Sequence, residues 1–309
     1  MRAFLLRRLR QVGVTLWGVV TLVFFLQRLT GDPTYLLVPE TATQADIDAL
    51  RHALGFDRPL WVQYGSFLAQ LVQFDLGQSV VQNTSVWSIL LSRIPYTLQL
   101  AGGALLVACG LGLPIGALLA LYRDRLWARG LAGLVFAAQS MPTFWSGILL
   151  ILMFAVTLGW LPPSSVGGIE HLILPSIALG LLSMATFARM TRTALLDEWT
   201  KDYVRSARAR GASSARLFWR HLARNASIPV ITVAAIEISN LLAGAVIVET
   251  VFAWPGLGQV TVQSILARDF MVVQGVVLLG AIVTILLSLT ADLLYSWVDP
   301  RIRLDGQTR

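Results

Sequence analysis

The residues best able to do chemistry in this chain are acids set in long apolar runs. Glu237 and Glu249 lie in one such run and Asp292 in another. If these runs cross a bilayer, an ionisable side chain inside them is costly and is by default a functional candidate. Glu237, Asn240 and Glu249 are therefore candidates for lining a polar route through the membrane. For Glu237 the alternative is an internal hydrogen bond to a neighbouring helix. For Asp292 it is an inter-helix bond or an interfacial position. His52, His171 and His221 fall in three separate loops, so no metal-ligand cluster is expected, and no Ser/His/Asp pattern points to hydrolysis. Cys109 is the one cysteine; it excludes an internal disulfide and reads as a small buried hydrophobe. Lys201 is the only lysine, and no Gly-x-x-x-x-Gly-Lys phosphate loop is present, so the chain is not expected to hydrolyse ATP or to bind a cofactor.

The elements that must position these residues are membrane helices. Of 309 residues 56% are hydrophobic and 13% charged, against about 25% charged in soluble chains. A hydrocarbon core needs roughly 20 apolar residues per helix. Six such stretches are expected, at residues 11–29, 98–121, 131–158, 172–189, 228–251 and 271–295. The first follows Arg2, Arg7, Arg8 and Arg10 but is longer than a signal-peptide apolar region and lacks a convincing cleavage site, so it reads as an uncleaved helix. Pro142 should kink the third. Pro229 should sit at the start of the fifth, where its missing N–H costs little.

Arginine sets the orientation. With six spans both termini share one side, and that side carries 19 Lys and Arg against five on the other. The positive-inside rule then places both termini in the cytoplasm. This asymmetry accounts for the net charge of +7 without nucleic acid.

Two connecting segments are too long to be simple links. The outer one, residues 30–97, opens with a Gly31-Asp32-Pro33 turn. Thr43 and Asp46 then resemble a capping box, Ile47, Leu50 and Leu54 recur at helical spacing, and Gly55 can stop the helix. A second apolar stretch, 60–74, could lie along the membrane surface. The segment is either a cap on the bundle or a docking surface for an outside partner. The inner one, residues 190–227, places Asp197 and Glu198 at the start of an expected short helix and Arg205, Arg208 and Arg210 at its end, an order that complements the helix dipole. Gly211 follows as a left-handed stop, and Ser213 can cap a second helix reaching Arg224. That helix sets Leu217, Phe218 and Leu222 on one side and Arg216, Arg220 and Arg224 on another. The small residues Ser206, Ala207, Ala209, Gly211 and Ala212 would admit close approach. Such a basic elbow can lie on anionic lipid or fit a protein socket.

Several ordered runs resemble one family. They are Leu29-Thr30-Gly31-Asp32-Pro33, Leu54-Gly55-Phe56-Asp57-Arg58-Pro59-Leu60, Asp75-Leu76-Gly77-Gln78-Ser79 and Arg93-Ile94-Pro95-Tyr96-Thr97. The elbow run is Asp202-Tyr203-Val204-Arg205-Ser206-Ala207-Arg208-Ala209-Arg210-Gly211, followed by Arg220-His221-Leu222-Ala223-Arg224-Asn225-Ala226-Ser227-Ile228-Pro229. Glu249-Thr250-Val251-Phe252-Ala253-Trp254-Pro255-Gly256-Leu257-Gly258 and Asp299-Pro300-Arg301-Ile302-Arg303 complete the set. Together they resemble the inner-membrane permeases of binding-protein-dependent ABC importers, in the dipeptide, oligopeptide and nickel branch. The broader Glu-Ala-Ala pattern is not kept: Arg205, Ser206 and Ala207 occupy its first positions, and its closing proline is displaced to Pro229.

The resemblance implies an all-α polytopic inner-membrane protein of the type I importer permease fold. It implies an N-terminal helix within 1–29, the outer segment 30–97, and a core from 98 to 309 bearing the coupling loop 190–227. The residues it marks for ATPase coupling are Tyr203, Arg205, Ala207, Arg208, Ala209, Gly211 and Ser213. The partners it implies are a second homologous permease, two ATP-binding subunits that hold ATP and Mg, an extracytoplasmic solute-binding protein, and lipid. Short peptides lead as substrate, with nickel, a metal chelate or glutathione as alternatives within the branch. A different class, an ion-coupled secondary transporter, would favour internal repeats; none is convincing, and the elbow argues against it.

Overall fold

The computed structural model describes residues 2–29, 43–53 and 55–298. The Gly31-Asp32-Pro33 turn, Leu54 and the 299–303 run lie outside the described residues, as does the side chain of Asp292. Regular structure among the described residues is helical, with one isolated bridge between Gln78 and Ser85. The chain divides into two compact units, residues 1–94 with 260–285 and residues 95–259 with 286–309.

In the first unit, α1 (Arg2–Leu29) meets α3 (Leu60–Val72) through aromatic packing. Phe24 stacks on Phe67 at 5.6 Å and meets Tyr64 edge-on at 5.2 Å, while Thr21 and the Tyr64 hydroxyl are 2.7 Å apart. Between them α2 (Gln44–Ala53) starts with the expected box: Thr43 N–H donates to Asp46 at 2.9 Å, and Asp46 N–H donates back to Thr43 Oγ1 at 3.4 Å. The Thr43 contacts hold the Asp46 carboxyl below its ordinary pKa. Ile47 of this helix is buried, and Gly55 follows at φ +71°. The apolar stretch beginning at Leu60 is helical to Val72.

The second unit is a helix bundle. Its core joins Leu100 and Ala104 of α4 (Val86–Leu121), Leu174, Ala178 and Leu179 of α7 (Glu170–Trp199), and Leu241, Ala245 and Val248 of α10 (Ala223–Val251). Helices α4 and α7 approach closely because glycine faces backbone: a Cβ on Gly116 would lie 2.5 Å from the Ala188 carbonyl oxygen, and one on Gly180 2.7 Å from that of Ala104. Small residues at such seams let apolar helices gain dispersion contacts that lipid alone would not supply.

Several expected boundaries are corrected. The second span begins at Val86, so a helix occupies the last part of the outer segment. The fourth runs on to Trp199, and the fifth reaches back through Pro229 rather than starting there. Its inner face, Leu217, Leu222 and Ala226, stays packed before the proline, which keeps the helix continuous. The third is not a kinked rod but two helices, α5 (Leu126–Gln139) and α6 (Thr143–Leu150), the latter continuing as π-helix over Ile151–Thr157. The two arms bend by 107°. Proline lacks the amide for a continuous ladder and disfavours helical geometry in the residue before it. Pro142 instead opens α6, its carbonyl accepting from the N–H groups of Trp145 at 3.0 Å and Ser146 at 3.1 Å. Among the described residues, four helices are long and apolar enough to cross a membrane: Val86–Leu121, Glu170–Trp199, Ala215–Val251 and Phe270–Thr290. The bent pair makes a fifth if counted as one span, and α1 holds a shorter apolar stretch, Arg10–Phe25.

Candidate functional site

The elbow is built on the ends of two long helices. Asp197 and Glu198 do not open its first helix, as the charge order suggested; they close α7. The short helix α8 (Asp202–Ala209) begins after Lys201, with Asp202 in its first turn. It ends in a Schellman arrangement: Gly211 N–H donates to the Arg208 carbonyl at 2.9 Å and Ala212 N–H to that of Ala207 at 3.1 Å. Gly211 sits at φ +81°, where glycine avoids the strain a Cβ brings. Ser213 then caps the next turn, accepting from Arg216 N–H at 3.4 Å. That turn, α9 (Ser214–Leu217), passes through a π segment, Phe218–Leu222, straight into α10. The second elbow helix therefore does not stop at Arg224; it is continuous with α10.

One face of α8 is used internally. Val204 and Ala207 are buried with Ala120, Leu195, Leu217, Leu222 and Ala226. Ala207 is small because it packs on its own chain, which corrects its expected place on a surface offered to a partner. Arg205, Ser206, Arg208, Ala209, Arg210, Gly211 and Ser213 are exposed. The Arg208 guanidinium lies 4.8 Å from the centre of the Trp199 ring, a cation–π contact. Trp219 projects from α10's approach, 75% exposed, and was not singled out by the sequence pattern.

A polar cluster closes the opposite end of α8. The Tyr203 hydroxyl donates to Glu198 Oε2 at 2.5 Å, Asn225 Nδ2 reaches that oxygen at 3.4 Å and the Tyr203 oxygen at 3.1 Å, and Lys201 Nζ pairs with Glu198 Oε1. Partial burial first, and the Glu198 carboxylate second, raise the Tyr203 phenol above its ordinary pKa, so it remains a donor. Tyr203 and Asn225 were visible in the motif; Glu198 was hidden by its assignment to a helix start.

The three route candidates separate into two groups. Glu237 is buried, accepts from Ser183 Oγ of α7 at 2.5 Å, and has Asn240 Nδ2 at 3.4 Å. Asn240 is exposed. Glu249 is fully buried and accepts from Thr97 Oγ1 at 2.7 Å, Gly258 N–H at 2.6 Å and Gln259 N–H at 3.1 Å. Thr97 Oγ1 also accepts from Leu257 N–H at 2.8 Å, and Trp254 Nε1 donates to the Tyr96 carbonyl at 2.9 Å. Glu249 thus ties the end of α10 to the start of α11 (Leu257–Leu266) and to α4. A Cβ on Gly256 would lie 2.1 Å from its carboxylate, which explains glycine there.

The chain matches two family models: binding-protein-dependent transport system inner membrane component over residues 112–304, and the N-terminal part of such a membrane component over residues 1–101. It belongs to the family of binding-protein-dependent transport system inner membrane components and is a multi-pass inner-membrane permease subunit. It is 40% identical over 333 aligned residues to the di/tripeptide transport system permease protein DppB of Pseudomonas aeruginosa, covering 98% of this chain and 99% of that one. It is 36% identical to the dipeptide permease DppB of Escherichia coli K12, with the same coverage. It is 37% identical to a putative peptide transport system permease of Brucella abortus, covering 99% of this chain and all of that one. Among solved structures, an inward-facing MetNI methionine ABC transporter shares the fold at TM-score 0.60 and 22% identity, over 69% of this chain and 97% of that one.

Proposed function

We propose that the chain forms half of the translocation pore of an ATP-driven importer of short peptides. The single observation that carries this reading is full-length similarity to di- and tripeptide permeases. The exposed basic face of the elbow supports coupling to ATP-binding subunits, which hold ATP and Mg. In this reading Arg205, Arg208, Ala209 and Arg210 meet the ATPase, with Gly211 and Ser213 shaping the turn. Tyr203 and Ala207 position the helix from inside. A second homologous permease completes the pore, lipid surrounds it, and an extracytoplasmic binding protein delivers substrate. The arginine asymmetry supports six spans with both termini cytoplasmic, the stretch within α1 counting as the first and the bent pair as the third. Glu237 and Asn240 are the pathway residues of choice, since Asn240 is exposed beside a buried carboxylate. Glu249 has its oxygens committed to neighbouring donors and serves to hold the outer loop.

The test is uptake of labelled dialanine by proteoliposomes containing the two permeases and the ATPases, with the binding protein outside. Uptake that needs ATP on the ATPase side is expected. Uptake driven by an ion gradient without the ATPases would overturn the reading; a binding protein that takes only a metal chelate would overturn the substrate.

A further inference from the structure

Helix α8 is eight residues long, and an isolated helix of that length is not stable in water. Its buried apolar side chains are Val204 and Ala207, packed among residues of the neighbouring helices. Its exposed ion pair, Arg205 to Asp202 at 3.6 Å, has side chains 80% and 93% exposed and contributes little. Beside that apolar contact, one carboxylate gathers the polar contacts at its start. Glu198, on α7, is 8% exposed and receives Lys201 just before α8, Tyr203 within α8, and Asn225 at the start of α10. Three helices thus meet at one group, and two of them are the long spans whose movement would open a pore.

We propose that Glu198 is a positioning residue of the coupling step: its carboxylate locks the coupling helix to α7 and α10, so that displacement of that helix moves both spans. This deepens the proposed function and rests on it. If the lock is cut, a push on α8 is absorbed by local rotation and ATP is hydrolysed without import.

The measurement is dialanine imported per ATP hydrolysed in the complete complex with its binding protein. In Glu198→Ala three donors lose their acceptor, and the ratio should fall about tenfold. Glu198→Gln keeps an acceptor oxygen and should recover most of it. Tyr203→Phe removes one hydroxyl and should lower the ratio about threefold. A merely structural role would lower import and hydrolysis together and leave the ratio unchanged, and that result overturns the proposal. If Glu198→Ala does not assemble, Tyr203→Phe decides by the same ratio. A spin label at Ala209→Cys in a Cys109→Ala background provides an arm that needs no transport. Glu198→Ala should increase its mobility, and an unchanged spectrum overturns the lock. If the unmodified complex imports nothing with ATP, the importer reading fails, and the label still judges the lock.

Discussion

Glu249 accepts three hydrogen bonds in a place closed to water. Removing it leaves Thr97 and two backbone amides without an acceptor, and each orphaned buried donor costs on the order of 1–3 kcal/mol. Glu249→Ala should therefore lower the thermal unfolding temperature of the purified chain in detergent, by several degrees more than Glu249→Gln, which retains one acceptor. Ala207 makes a second prediction at this scale. It is 4% exposed, so Ala207→Leu overpacks the joint at a cost of about 1–3 kcal/mol. The same thermal measurement should show a loss for Ala207→Leu and none for Ala209→Leu, whose side chain is exposed.

The elbow shows what a helix terminus can ask of one residue. At Gly211 there is open space around a Cβ, yet the backbone is left-handed at φ +81°. Gly211→Ala should thus cost about 1–2 kcal/mol from backbone strain alone. It should loosen the turn without a clash, visible as faster proteolysis within 205–215. The Schellman stop, the Ser213 cap and the Thr43 box were legible in sequence because caps depend on neighbours in the chain. The ends of α7 and α10 were not. Apolar periodicity stops at the membrane edge, whereas these helices continue as long as one face stays buried, and that burial comes from residues far apart in sequence, such as Ala120 against Leu222. Glu198 was misplaced for the same reason: acids at a helix start and acids at a helix end look alike until the partners Lys201, Tyr203 and Asn225 are assembled around them. Pro142 announced an interruption, but not its angle of 107°.

For the molecule as a whole, topology carries the sharpest expectation. With Cys109 replaced, a cysteine at Arg210 should react with a membrane-impermeant maleimide only when the cytoplasmic face is open, and one at Asp57 only from the outside. Labelling of position 210 in intact cells would reverse the orientation and remove the elbow from contact with any ATPase. Long apolar helices and the basic elbow were readable at this scale because composition and charge are bulk properties. The sharp bend between α5 and α6 was not. One feature of the lock also gives the chain an unusual chemical address. Lys201 is its only lysine, and the side chain is 54% exposed while paired with Glu198. An amine-directed fluorophore reacts with the α-amino group and, among the side chains, with this one lysine alone. Its reaction rate would be a direct clock of how often the Lys201–Glu198 pair opens.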